Sequence, residues 1–383
     1  MRLRPSSRGS DQGEERSGDS GADGSPPPEG GLGSADSAAS AFSFATSFSI
    51  GRIVIPNRVV LAPMAGLTNS AYRRHLKAHG AGLVTTEMVS AYGLLHGNKR
   101  TIEDYLRFAD EERPIVVQLF GDMPEVMAQA ARLVLEGRPG RGGPARPAPD
   151  ILDINMGCPV RKVTSTGAGS ALLADPERAV AMAAAVARVA SEHGVAVTVK
   201  LRSGVREGER TAVDLAPRLE EAGVAALGVH PRTTNQHYRG DADHTVTKAI
   251  VRAVGIPVIA SGDVTSLAAA RTIMRATGAA AVMVARGAAG DPWLLDSLVA
   301  GRELPRPPLP EAVADLRALL ALVLAEMGDG RALKWMWRLI GWYLRPSRVP
   351  MAVVDGLRAA PDGRSLDSAL AALAEGGSGP TED

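Results

Sequence analysis

Several apolar, β-branched runs of this 383-residue chain end in polar or charged side chains. Such groups are costly to bury at strand ends unless they have partners. Their repetition along one chain therefore indicates a bound polar ligand. In chain order, the residues at these run ends are Gln118, Asn155, Cys158, Lys200, Arg202, His230, Arg232, Asp263 and Arg286.

The last two runs end in glycines beside an arginine, in the segments SGDV (261–264) and ARGAAGDPW (285–293). Gly262 and Gly287 allow backbone N–H groups to approach a ligand, and Arg286 supplies positive charge. Barrels commonly bind phosphate at this position. A phosphate site does not by itself separate FMN from a sugar phosphate, and glycines that merely close tight turns would give the same pattern.

Lys200 lies inside the run AVTVKLR (196–202), where a lysine is rare. Two roles fit this position equally well. It could be a Schiff-base amine for a carbonyl substrate, or a fixed cation near N1 of a flavin, where it would stabilise the anionic reduced ring. A simple surface lysine is a third interpretation.

The chain has one cysteine, Cys158. One cysteine excludes an internal disulfide and a thiolate metal site, and it is consistent with a reducing cytosol. A lone cysteine is usually a small buried apolar residue. His96, His193, His237 and His244 have no spacing typical of a metal site, so we predict no metal.

The scaffold that positions these residues alternates short β-branched runs with Ala- and Leu-rich stretches of helical period. Eight strand–helix units predict an α/β fold, a (β/α)8 TIM barrel over residues 50–305. A doubly wound open sheet is the alternative, but APMAG (62–66) is not the glycine-rich nucleotide turn of such sheets. The predicted strands are 59–64, 83–88, 114–121, 151–157, 196–202, 225–230, 257–263 and 280–287.

The two ends of the chain differ from this pattern. Strand signals stop after Pro310, and the helical spacing that follows predicts a small all-α domain over residues 308–375. Residues 1–42 have almost no large apolar side chains and predict a disordered tail. Residues 137–149 predict an inserted surface loop. The predicted helices are 124–135, 176–191, 211–221 and 267–277 in the barrel, and 311–327 and 331–344 after it.

The formal net charge of +1 gives no strong overall field. Any RNA contact must therefore rest on a local basic patch. No apolar run approaches the roughly 18 residues that span a bilayer, and the N-terminus lacks a secretory signal pattern. We expect a cytoplasmic monomer with no membrane partner.

Seven segments resemble, in chain order, those of the tRNA-dihydrouridine synthases, in particular the bacterial B-type enzymes. The likeness runs from about residue 50 to 305 and continues more weakly into the C-terminal helices. NMGCP (155–159) with GSALL (169–173) downstream is its most specific part. The segments are APMAGLTN (62–69), VQLFG (117–121), DINMGCPVRKVTSTGAGSALL (153–173), VKLRSG (199–204), VHPRTTNQHYRG (229–240), SGDV (261–264) and MVARGAAGDPW (283–293).

The resemblance implies a flavoenzyme that uses FMN and NADPH or NADH to reduce a uracil in tRNA. Hydride passes from flavin N5 to uracil C6, and Cys158 is the implied donor of the proton to C5. The uridine is expected to be unstacked and turned out of the tRNA. The implied FMN contacts are Pro63, Met64, Ala65, Gln118, Lys200, His230, Ser261, Gly262, Asp263, Ala285, Arg286 and Gly287, and the implied substrate contacts are Asn155, Arg202 and Arg232.

The chain departs from the family pattern at three places. Ser261 replaces a usual asparagine, Ala285 replaces a usual glycine, and WRL (337–339) replaces an Arg-Lys-His run that faces the substrate. Lys334 and Arg338 are expected to bind tRNA phosphates on a basic surface. Such charges also occur on solvated helix faces.

Two alternative functions remain at this stage. One is an aldolase-like lyase in which Lys200 forms a Schiff base with a phosphorylated sugar. The other is a non-catalytic tRNA-binding paralogue, which the altered segment 337–339 suggests.

Overall fold

Eight parallel strand positions form one closed sheet in the computed structural model, which describes residues 42–138 and 146–376. The strands are β1 (Phe48–Ile50), β2 (Ile53–Ile55), β3 (Val59–Leu61), β4 (Val84–Thr85), β5 (Val89–Ser90), β6 (Ile115–Phe120), β7 (Ile151–Met156), β8 (Ala196–Arg202), β9 (Ala226–His230), β10 (Val258–Ser261) and β11 (Ala281–Val284). Neighbours follow the order β3-β11-β10-β9-β8-β7-β6-β4, and β5 also pairs with β6. A parallel bridge between Val60 and Leu83 joins β3 to the segment before β4 and closes the barrel.

Helices connect the strands and then continue beyond the barrel. They are α1 (Ser70–Ala78), α2 (Ala91–Leu95), α3 (Pro124–Leu135), α4 (Arg161–Thr164), α5 (Pro176–Glu192), α6 (Thr211–Glu221), α7 (His244–Ala253), α8 (Leu267–Thr277), α9 (Trp293–Ala300), α10 (Leu309–Met327), α11 (Asp329–Leu344), α12 (Met351–Arg358) and α13 (Gly363–Gly376). Shorter turns lie at Thr101–Tyr105 (π), and at Asp110–Glu112, Gly169–Ala174 and Arg286–Ala288 (3₁₀). Side-chain N-caps mark where two of these helices begin: Asp175 and Ser266 accept hydrogen bonds from backbone N–H groups in the first turns of α5 and α8.

The predicted TIM barrel is confirmed, and each of the eight predicted runs contains a strand. The second run, 83–88, contains only the short strand β4; β5 follows directly after it, and neither β5 nor the hairpin β1–β2 was predicted. The predicted tail, residues 1–42, lies outside the described residues except at Phe42, as do residues 139–145 of the predicted insertion. The boundary between a barrel and a helical domain stays a prediction.

The hairpin fills one end of the barrel. Ile50 and Ile55 are fully buried and join a cluster with interior residues such as Val60, Val116 and Met283. This apolar layer leaves the other end of the barrel, where the strands have their carboxyl ends, available for polar side chains.

A buried polar cluster attaches α10 and α11 to the barrel helices. The imidazole of His79, after α1, contacts the carboxylates of Asp296 at 2.6 Å and Asp315 at 3.1 Å. His75 Nε2 lies 2.8 Å from the Tyr343 hydroxyl, which donates to Asp315. The ligand atoms of His75, His79 and Asp315 lie within 4.8 Å of one another, a spacing that a metal ion could use, so the expected absence of a metal stays a prediction.

Within the part of the chain that the structure describes, no helix has the length and apolarity needed to cross a membrane.

Candidate functional site

A cavity of about 480 Å³ opens at the carboxyl ends of the barrel strands. Pockets for small ligands and cofactors typically measure roughly 300–1,000 Å³. All the residues predicted for the site line this cavity, with the exception of Lys334, which lines a smaller cavity beside it. The roles of these residues remain predictions, but the barrel brings them together.

The ends of β10 and β11 form one wall of the cavity. Gly262 has φ +105°, and a Cβ there would lie 2.9 Å from the Ala242 side chain and 3.0 Å from the His230 ring. Ser261, Ala285 and the turn Arg286–Ala288 complete this wall. Exposed backbone and an arginine at this place fit the predicted phosphate end of FMN.

Asp263, which also has positive φ, is paired with Arg232 across the cavity wall. The Arg232 guanidinium donates to both carboxylate oxygens at 2.8 Å. Burial alone would raise the pKa of Asp263, but hydrogen bonds from the Ala242 N–H and from Arg232 hold it below its usual range. Asp263, a predicted FMN contact, and Arg232, a predicted substrate contact, therefore form an ion pair with each other.

A chain of hydrogen bonds joins side chains of the neighbouring strands β8, β7 and β6 to the backbone of Cys158. Thr198 Oγ1 donates to Asp153 at 2.6 Å, and Gln118 Nε2 donates to the other carboxylate oxygen at 2.8 Å. Asn155 Nδ2 donates to Gln118 Oε1 at 2.8 Å, and Asn155 Oδ1 accepts from the Cys158 backbone N–H at 2.9 Å. Since the carboxylate of Asp153 accepts, it fixes which way both amides point. Sequence reasoning missed Asp153, although the DINMG segment contains it.

The loop that carries Cys158 is closed from the other side by the GSALL segment. Ser170 donates to the Cys158 carbonyl from its backbone N–H at 3.1 Å and from its hydroxyl at 2.9 Å. Gly169 has φ +63°, and a Cβ there would lie 2.8 Å from the same carbonyl oxygen. This contact explains physically why the two most specific sequence segments occur together.

The surroundings of Cys158 favour the protonated form of its sulfur. Burial raises the pKa of the Cys158 thiol above its ordinary value, and the Val160 N–H and the cations of Arg202 and Lys200 oppose this rise only in part. A protonated thiol is the state that a proton donor requires.

Burial lowers the pKa of both Lys200 and His230, but only His230 loses its charge at neutral pH. Burial and the charge of Arg202 lower the pKa of Lys200 to about 8. Burial and the nearby cations, first of all Lys200, hold the pKa of His230 well below its usual range, so its imidazole is neutral. The floor of the cavity therefore presents one ammonium group and a neutral ring.

Arg202 is held by backbone carbonyls instead of projecting freely toward a substrate. Its guanidinium donates to the carbonyls of Gly157, Thr233 and His237 at 2.7–2.9 Å. It thereby ties the residue before Cys158 to the loop after β9. Its predicted contact with substrate stays a prediction.

Aromatic residues at the cavity mouth were missed by sequence reasoning. The guanidinium of Arg286 lies 4.7 Å from the centre of the Tyr238 ring, and that of Arg202 lies 5.5 Å from it. Tyr238 and Trp342 are both exposed and both line the cavity. The available signal was the position of Tyr238 inside the family-like segment 229–240 and that of Trp342 shortly after the altered segment 337–339.

The loop after β3 joins this cavity to α11. The Gly66 N–H donates to Glu87 at 2.5 Å, and the Gly66 carbonyl accepts from Arg338 at 3.2 Å. Burial raises the pKa of the Glu87 carboxyl. Arg338 thus holds the loop that contains the predicted flavin contacts Met64 and Ala65.

Two solved structures share the fold. One is a 2-naphthoyl-CoA reductase in complex with 2-naphthoyl-CoA, with a TM-score of 0.51 and 11% identity over 68% of this chain and 52% of that chain. The other is the 6-hydroxypseudooxynicotine amine oxidase of Pseudomonas geniculata N1, with a TM-score of 0.50 and 12% identity over 73% and 52%. At this identity they support the barrel fold alone.

Sequence relatives are much closer. The chain is 38% identical to the tRNA-dihydrouridine synthase B of Pseudomonas aeruginosa over 77% of this chain and 86% of that protein. It is 35% identical to a probable tRNA-dihydrouridine synthase of Rhizobium leguminosarum bv. phaseoli over 82% and 95%. The family model of dihydrouridine synthase (Dus) matches residues 60–359. The chain therefore belongs to the dihydrouridine synthase family.

Proposed function

We propose that this protein is a tRNA-dihydrouridine synthase that depends on FMN and uses NADPH or NADH as reductant. Family membership and the cavity at the strand ends support this proposal. The observation that carries it is the half-buried thiol of Cys158 in that cavity, on a loop whose backbone N–H is held by Asn155 and whose backbone carbonyl is held by Ser170. The protein acts on tRNA as a cytoplasmic monomer.

The residues around the cavity fit FMN. Its phosphate would be bound at Ser261–Asp263 and Ala285–Gly287, with Arg286 supplying charge. Its ring would lie on Pro63–Ala65, between Gln118 and Lys200. When bound and reduced by the nicotinamide, FMN supplies the hydride that is added to uracil C6.

Lys200 contributes a positive charge beside the ring. Lys200 forms none of the ion pairs found within residues 42–138 and 146–376. The carboxylate of Asp153 acts on its charge, but Asp153 accepts its hydrogen bonds from Thr198 and Gln118, and Lys200 lines the cavity where a negatively charged ligand can meet it. A cation whose pKa lies near 8 is mostly protonated at neutral pH. His230, being neutral, adds no second charge there.

Cys158 donates the proton that completes the reduction. Its S–H bond breaks as a C–H bond forms at uracil C5, and the charge left by hydride addition at C6 is neutralised. The resulting thiolate lies near the cations Arg202 and Lys200, which favour it. Water at the open mouth then returns the proton to sulfur.

The substrate enters through a mouth lined by Tyr238, Trp342 and Arg338. Aromatic faces and guanidinium planes receive unstacked bases in RNA-binding proteins. The side-chain oxygen of Asn155 accepts from the backbone N–H of Cys158. Because Asn155 also lines the cavity, we expect it to orient the edge of the uracil.

The test uses the purified full chain. We expect bound FMN, visible by its absorption, and formation of dihydrouridine, detected by mass spectrometry as a gain of two hydrogens, in total tRNA from cells that lack the gene. A flavin-free protein that gives a borohydride-trapped adduct on Lys200 would establish the lyase alternative. Bound tRNA with no NADPH-dependent product would establish the non-catalytic paralogue.

A further inference from the structure

A second cavity, of about 240 Å³, lies beside the main cavity and shares Gly66 and Arg338 with it. One wall is a single face of α11, whose members have the i, i+3, i+4, i+7 spacing of neighbours on a helix. The residues of this face are Arg331, Lys334, Trp335 and Arg338. Lys334, a predicted substrate residue, therefore lines the second cavity.

Two buried hydrogen-bond donors in this cavity wall have no partner. Among the described residues, the Nδ2 of Asn69 and the Nε1 of Trp335 are buried without an acceptor. Asn69 is 5% exposed and Trp335 8% exposed, and both residues line the second cavity. An unpaired buried donor costs about 1–3 kcal/mol. Two of them at one cavity point to acceptors that a ligand supplies.

The side chains of Asn69 and Trp335 also make contacts that stabilise the fold, and these contacts do not involve the two unpaired N–H donors. Asn69 Oδ1 caps α1 by accepting from the Tyr72 N–H at 2.9 Å. The Trp335 ring packs edge-on against the Tyr72 ring, with centroids 5.6 Å apart. In each residue one part of the side chain stabilises the fold, the Oδ1 of Asn69 and the ring of Trp335, while an N–H group has no hydrogen-bond acceptor.

Four carboxylates line the cavity, and each has a donor or a cation nearby. Glu103 lies 3.9 Å from Lys99, and Glu326 accepts from the Ala71 N–H. Glu87 accepts from the Gly66 N–H, and Asp104 lies 2.9 Å from Arg331 and 3.9 Å from Arg100. Within residues 42–138 and 146–376, Lys334 has no ion-pair partner. Five cationic side chains thus line the cavity against four carboxylates, so that one positive charge and the two unpaired N–H donors are in excess. Such a cavity is suited to an anionic ligand with oxygen acceptors.

We propose that the second cavity binds a nucleotide phosphate and its ribose, provided by the tRNA nucleotide next to the uridine in the main cavity. This inference rests on the proposed function, because the shared wall at Gly66 and Arg338 then separates two consecutive nucleotides of one strand. The phosphates of the nicotinamide reductant have the same chemistry and are the other possible source.

Three variants of the full, FMN-bound protein test this site. Trp335→Phe removes the indole N–H and keeps an aromatic ring on Tyr72. Asn69→Ser removes the amide N–H and keeps an N-cap oxygen. Lys334→Gln removes a charge, and Lys248→Gln on α7, an exposed lysine elsewhere, is its matched control.

The measurements are the Kd for total tRNA from cells that lack the gene, the KM for NADPH, the FMN content and the Tm. We expect each of the three variants to raise the Kd for tRNA about three- to tenfold, with FMN content and the KM for NADPH unchanged. Lys248→Gln should leave the Kd unchanged. Because Asn69→Ser removes an unpaired donor but no hydrogen bond, its Tm should fall little.

A raised KM for NADPH with unchanged tRNA binding would assign the site to the reductant and overturn the tRNA source. Unchanged Kd and KM in all three variants would overturn the site itself. Failure of the proposed function is a separate result, since it would be seen as absence of dihydrouridine with the unaltered protein, whereas the phosphate site is judged by binding.

Discussion

Asn155 Oδ1 accepts a hydrogen bond from the backbone N–H of Cys158 at 2.9 Å, while Asn155 Nδ2 donates to Gln118 at 2.8 Å. One side chain thus links the loop of the proposed proton donor to a proposed flavin contact. Both amide orientations depend on the buried carboxylate of Asp153, because it accepts from Gln118.

We predict that Asn155→Asp lowers the rate of dihydrouridine formation by about tenfold to a hundredfold, corresponding to about 1.5–3 kcal/mol. The new carboxylate still accepts from Cys158 but faces the carbonyl oxygen of Gln118. The variant should recover in part as the pH falls, because a protonated carboxyl can donate to Gln118. Single-turnover rates across pH check this. Asn98→Asp is the control, since Asn98 only accepts, from Thr101, and an equal loss there would contradict the argument.

Gly169→Ala should destabilise the protein by about 1–3 kcal/mol and reduce activity. The added Cβ meets the Cys158 carbonyl at 2.8 Å, and φ of +63° strains any other residue. Urea unfolding measures the free energy. Gly356→Ala, in α12 with nothing within 4 Å of its Cβ, should be neutral or stabilising by up to about 1 kcal/mol. If Gly169→Ala and Gly356→Ala had the same unfolding free energy, the close approach of Gly169 to the Cys158 carbonyl would not contribute to stability.

The cluster around His79 predicts a pH-dependent stability. Burial alone would lower the pKa of His79, but Asp296 and Asp315 raise it from 6.5 to about 9. Because folding raises this pKa, the contribution to stability is complete below pH 6.5 and is lost as the pH rises through about 9. Its size is at most on the order of 3 kcal/mol. Unfolding free energies measured between these pH values check the loss.

His79→Gln should remove most of that pH dependence and lower stability at pH 6. His96→Gln, at an exposed histidine, should keep the pH dependence of the unaltered protein. A flat stability profile in the unaltered protein between neutral and alkaline pH would contradict the assignment.

Much of the barrel follows from local sequence pattern. The bounds of α3, α6 and α8 coincide with the predicted helices 124–135, 211–221 and 267–277. An N-terminal proline marks the start of α3 and the Ser266 cap marks that of α8, whereas α6 has no side-chain cap and follows from its apolar period. Only β4 forms within the predicted strand 83–88, because the chain leaves the ladder after Thr85 and pairs with β6 again at β5, beyond the end of the run.

The site was predictable only in part. Strand-end position identified the cavity residues because parallel strands end at one face of a barrel. The partners within the site depend on contacts between distant residues: Arg232 with Asp263, or Asp153 with Thr198, 45 residues apart. No periodicity records such pairs. Tyr238 was missed for the same reason, since its place over Arg286 depends on how the loop after β9 folds.

The most direct test of the central claim is a comparison of two half-reactions in Cys158→Ala. We predict that FMN is bound and reduced by NADPH at the rate of the unaltered protein, while dihydrouridine formation in tRNA falls about 10²- to 10⁴-fold. Conversion of uridine at an undiminished rate by this variant would contradict the account.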